Sequence, residues 1–194
     1  MHKHVALKHS AFFTAAMSSS SKEAHDGIIC LPESKASAFE DYMHWLYRDE
    51  VLVLNPDDIH DHEQKTGGRR FTKLTELYVQ AITLQDQGLR DAVITTMLEV
   101  SDETGTTPGI VSVEVAYSSA PEDCMLRRLL LDYFTAYHDT AWLARQNNAA
   151  RLPATFLYEL VYHRMANHRL TILKPTRADR CHYHEHDAAA PCSD

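Results

Sequence analysis

Glycine is scarce in this chain, with six in 194 residues. Loops that cradle phosphates need several glycines at fixed spacing. Neither G-x-x-x-x-G-K-[ST] nor G-x-G-x-x-G occurs, and Gly67-Gly68-Arg69-Arg70 matches neither pattern. The G-x-S-x-G elbow of serine hydrolases is missing too. Cysteine is equally sparse. Cys30, Cys124, Cys181 and Cys192 are too scattered to form the disulfide framework of a small secreted domain. No apolar run approaches the ~18–20 residues that span a bilayer. The N-terminal stretch lacks the apolar core and cleavage site of a signal peptide. An intracellular location, cytoplasmic or nuclear, is expected, with no membrane partner. Positive charge is in deficit: 19 Lys and Arg against 27 Asp and Glu give −8 with neutral histidines. Phosphate neutralisation needs clustered Lys and Arg, so no nucleic-acid partner is expected.

What is present is helical periodicity. Phe39, Tyr42, Met43, Leu46 and Tyr47 recur at i, i+3, i+4, i+7 and i+8, one face of a helix. Leu74, Leu77, Tyr78, Ala81 and Leu84 make a second face. Leu89, Ala92, Val93, Thr96 and Met97 make a third, set off by Gly88 as a helix-ending glycine. Leu126, Leu129, Leu130, Tyr133, Phe134 and Tyr137 follow Ser119-Ala120-Pro121-Glu122, which has capping-box spacing. Leu157, Leu160, Val161 and Arg164, with Phe156 and Met165 alongside, form a fifth helix entered through Pro153. Strand candidates are Gly27 to Leu31 and Val51 to Leu54. Within the first, Cys30 reads as a small buried hydrophobe. The run 110–117, IVSVEVAY, is ambiguous, and periodicity slightly favours a strand. Residues 55–70 read as a long exposed loop, and 101–109 as a subdomain boundary. No repeat is present.

Metal-ligand chemistry concentrates at the C-terminus. Cys181, His184, His186 and Cys192 form C-x2-H-x-H-x5-C. Thiolate and imidazole are zinc ligands, and four close a tetrahedral structural site. His182 is a substitute ligand. A disordered His-rich tail is the competing reading. His182, Glu185 and His186 also fit the inverted zinc-protease pattern H-x-x-E-H. Few residues follow it and they include Pro191, which leaves little room for a third ligand. Asp57, Asp58, His60, Asp61, His62 and Glu63 lack the glycine of an EF-hand loop and read as a solvated loop. Cys124 lies near a helix start, where a thiol pKa falls, but no histidine is seen to be held beside it. No catalytic residue is assigned, and no enzyme activity is expected.

Residues 9–54 carry an ordered set of elements. His2-Lys3 precedes Ser10-Ala11-Phe12-Phe13, and Lys22-Glu23 precedes Ile28–Leu31. Leu31-Pro32-Glu33 leads to Trp45-Leu46-Tyr47. Leu77-Tyr78-Val79, Leu89-Arg90-Asp91-Ala92-Val93 and Leu126-Arg127-Arg128-Leu129-Leu130 follow in order. This set resembles BTB/POZ domains of the fungal type, over most of residues 2–172. The resemblance implies a mostly α fold with a small β-sheet (α+β), a truncated BTB/POZ-like fold followed by a helical extension. Residues 1–100 would be the BTB/POZ-like domain, 101–172 the helical extension and 173–194 a disordered polar Cys/His tail. It also implies that 110–117 is helical. BTB domains normally begin with two strands before the His-Lys element, whereas here Met1 is followed at once by His2-Lys3. An incomplete sheet would leave Ile28–Leu31 short of partners. The implied function is protein–protein interaction, by self-association or as an adaptor to a cullin-type ubiquitin ligase scaffold. The alternative is a small zinc-binding regulatory protein acting through Cys181, His184, His186 and Cys192.

Overall fold

The computed structural model describes residues 2–18, 22–32, 34–53, 68–144, 148–166, 174–185 and 192. All regular structure among them is helical. In order the helices are α1 (Lys3–His9), α2 (Ala11–Ala16), α3 (Lys22–Asp26), α4 (Ala36–Arg48), α5 (Gly68–Thr83) and α6 (Gln87–Thr104). They continue as α7 (Ile110–Ser119), α8 (Met125–Tyr137), α9 (Thr140–Ala144), α10 (Asn148–Arg151), α11 (Ala154–Ala166) and α12 (Arg180–Tyr183). A 3-10 turn, Arg177–Asp179, leads into α12.

The expected α+β fold with a small sheet is therefore overturned: no strand occurs among the described residues. Residues 27–31 are irregular, start from Gly27 at φ +66° and leave Ile28 66% exposed. Residues 51–53 are also irregular. An isolated strand pairs none of its backbone groups, and neither short run finds a ladder to join. Cys30 is exposed rather than buried, for the same reason. The acidic, His-bearing loop lies outside the described residues.

The run 110–117 is helical. A helix satisfies its own backbone where a lone strand cannot, and α7 buries Ile110, Ser112, Val113 and Ala116. It packs against α5, α8 and α11. α5 is the central element, contacting α4, α6 and α7. It buries Phe71, Leu74, Leu77, Tyr78 and Ala81. One continuous buried cluster runs from Ala6 through α4 to α8 and on to Phe156, Leu160 and Tyr183. Residues 1–100 and 101–172 thus share a core.

The junction between α5 and α6 is built differently from the sequence expectation. Gly88 lies inside α6. The break is made by Gln85, at φ 51°, and by Asp86, whose Oδ1 accepts the Leu89 amide at 2.9 Å as N-cap. Asp86 Oδ2 also accepts the Tyr42 hydroxyl and the Trp45 indole N–H, each at 3.3 Å. Burial pushes this carboxyl above the ordinary range, against the donors that favour its charge. Asp86 therefore ties α4 to the start of α6. α8 likewise begins later than the capping-box spacing suggests: Cys124 is its N-cap and Pro121 lies in the preceding turn.

Candidate functional site

α11 is held on one side only. Phe156 is fully buried, edge-on to Tyr117 at 5.2 Å and to Phe134 at 5.0 Å between centroids. Leu160 continues this face. Polar ties fix the rotation of the helix. The Tyr117 hydroxyl donates to Glu159 Oε2. Arg164 Nη2 donates to the carbonyls of Thr135 at 2.9 Å and His138 at 3.0 Å, covering the end of α8. There it meets carbonyls that the helix itself leaves unpaired. His163 sits between Thr135 Oγ1 at 3.4 Å and Asp132 Oδ1 at 3.1 Å.

The opposite face is largely exposed. Tyr158, Val161, Tyr162 and Met165 are 73, 58, 68 and 69% exposed. Their spacing of i, i+3, i+4 and i+7 puts them on one stripe. Among the described residues the other exposed large apolar side chains, Ile28, Tyr47, Leu52, Val111 and Tyr137, are scattered along the chain. Single exposed apolar residues are ordinary, whereas a contiguous stripe signals a contact surface. Val161 and Met165 belong to the sequence's fifth helix but face water instead of the core. Tyr158 and Tyr162 were not singled out by the periodicity. The available signal was composition: α11 is apolar around most of its circumference, too wide for one buried stripe.

The C-terminal segment 174–185 packs against α6 and α8. Tyr183 is buried and its hydroxyl donates to Asp132 Oδ2 at 2.9 Å. Burial raises that phenol, and the Asp132 charge raises it further. Arg177 pairs with Glu99 at 3.1 Å, and its amide donates to Asp102 Oδ2 at 2.8 Å. Glu185 receives Arg90 Nη1 at 2.5 Å and the Tyr78 hydroxyl at 3.2 Å. Its amide donates to Asp91 Oδ1 at 2.9 Å. The segment is thus a strap across α6 and α8. Asp132 serves both strap and α11, with one oxygen on Tyr183 and the other on His163.

Of the four expected metal ligands, His186 lies outside the described residues. Cys181, His184 and Cys192 come together. His184 Nδ1 is 2.9 Å from Cys192 Sγ, and His184 Nε2 is 2.9 Å from Thr95 Oγ1. Burial pushes the Cys192 thiol up, and the neighbouring Cys181 side chain raises it further. Among the described residues no three His, Cys, Asp or Glu groups are arranged to hold a metal ion. Cys124 is buried, and burial pushes its thiol up, the opposite of activation at a helix start. No helix among the described residues is long and apolar enough to cross a membrane. No family model, curated protein or solved structure matches this chain.

Proposed function

We propose that this chain is a protein–protein interaction module that self-associates through the outer face of α11. The observation that carries this reading is the exposed stripe of Tyr158, Val161, Tyr162 and Met165 on a helix whose other side is fixed. Tyrosine is enriched at interface hot spots because it buries a large apolar body and keeps a polar tip. A fixed helix presents these side chains with little further ordering cost. The stripe also suits a twofold axis. Its spacing reads the same in both directions about the Val161–Tyr162 bond, so two antiparallel copies would set Tyr158 against Met165 at each end. Nearby polar groups on α11 are already used inward: Glu159 by Tyr117, His163 by α8, and Arg164 by the end of α8. Little charge would then be left unpaired at the contact.

Light scattering on a size-exclusion peak across a dilution series tests this. A dimer of about twice the 22.1 kDa chain mass, dissociating on dilution, is expected. A folded monomer at every concentration would refute self-association.

A further inference from the structure

We propose that Cys181 and Cys192 form a reversible disulfide that locks the C-terminal strap against α6. Cys181 lies in α12 and His184 at its C-cap. They stand three residues apart, a spacing that brings side chains together on a helical turn. Cys192 closes the cluster: its Sγ lies 2.9 Å from His184 Nδ1, close enough to Cys181 for that side chain to act on its thiol. Thr95 on α6 holds the remaining His184 nitrogen at 2.9 Å, so the cluster is anchored to the helix on which the strap lies. Two neighbouring thiols must approach to ~2.05 Å to form a disulfide, and both lie on the same short segment. Cys181 is exposed and Cys192 half-buried, so a small oxidant reaches both. Cys124 is buried, and Cys30 lies in the irregular run 27–31.

The oxidant is a small-molecule disulfide such as oxidised glutathione. A thiolate of the pair attacks one glutathione sulfur, which breaks the S–S bond and releases one glutathione thiolate. The second protein thiol, as its thiolate, attacks the protein sulfur of the mixed disulfide and releases the second glutathione. The two protein thiols lose two electrons and two protons, and the two glutathione molecules gain them. The new bond ties Cys192 to α12. It thereby reinforces the contacts that Glu185 makes with Arg90, Tyr78 and Asp91.

The test uses the full chain, reduced and freed of metal with a chelator, then incubated with oxidised glutathione and alkylated without denaturation. Peptide mapping is expected to show a Cys181–Cys192 cross-link, with Cys30 still alkylated as the internal control. Amide exchange over residues 177–185 should slow several-fold on oxidation, and a Cys192→Ser variant should show no such slowing. Glutathione retained on Cys181 or Cys192 without a cross-link would overturn the proposal. So would a cross-link between chains, or a cross-link that leaves exchange unchanged. Protection of both thiols in the reduced chain by added zinc, with no cross-link formed by oxidant, would assign the cluster to a metal instead.

Discussion

The two faces of α11 present a contrast within 13 residues. The inner face has Phe156 and Leu160 in the core and three side chains tied to α7 and α8. The outer face has four large apolar side chains, each more than half exposed. Both faces are apolar at helical spacing, and composition does not distinguish them. What distinguishes them is the neighbour: α7 and α8 cover one side, while the other stays largely exposed. An apolar stripe becomes core or contact surface according to what the rest of the chain places against it.

The contrast can be broken most severely from inside. Phe156→Ala removes a fully buried ring between Tyr117 and Phe134. It should cost about 3–5 kcal/mol, read as a lower denaturation midpoint. A loss below about 1 kcal/mol would mean that α11 is not seated as described.

The strap offers a smaller perturbation of the same seat. Tyr183→Phe deletes the hydroxyl that reaches Asp132 and should cost on the order of 1 kcal/mol, again by chemical denaturation. His163 should still pair with the other Asp132 oxygen.

Acid should act on the inner side as well. His138 is stacked on Phe134 at 4.5 Å and edge-on to Trp142 at 4.2 Å. Burial holds its imidazole below the ordinary value of 6.5. The unfolded chain then binds a proton that the folded chain resists. The contribution is intact above about pH 6.5 and is lost as the pH falls through that value toward the lowered one. Denaturation midpoints measured from pH 7.5 down to 5.5 should fall for the wild type and fall less for His138→Phe. Equal slopes would remove His138 from the explanation.

The outer face should give the smallest stability effect. Tyr158→Ser with Tyr162→Ser should change stability by no more than about 0.5 kcal/mol per site, because both rings already lie in water. A large loss would mean that these rings pack within the monomer.

The helices were largely legible in the sequence, because the core faces of α4, α5, α6 and α8 repeat at 3.6 residues. Their ends were less legible. The Gln85–Asp86 break depends on a carboxylate meeting Tyr42 and Trp45, more than forty positions away. Ile28–Leu31 and Val51–Leu54 have strand composition, but a strand also needs a partner, which local sequence does not reveal. α7 shows the converse, since its alternation yields to packing between α5, α8 and α11. The Cys/His cluster was legible as chemistry, while its attachment to Thr95 was not. The strap was missed because its contacts are polar pairs with α6 and α8 and follow no period. The exposed side of α11 was hidden by the apolar residues that also mark its buried side.

The most direct test compares the solution mass of three proteins at matched concentrations: the wild type, Tyr158→Ser/Tyr162→Ser, and Ile28→Ser as a control at an exposed apolar residue away from α11. The account predicts dimers for the wild type and Ile28→Ser, and a folded monomer for the double variant. A double variant as dimeric as the wild type would contradict the assignment of α11 as the contact surface.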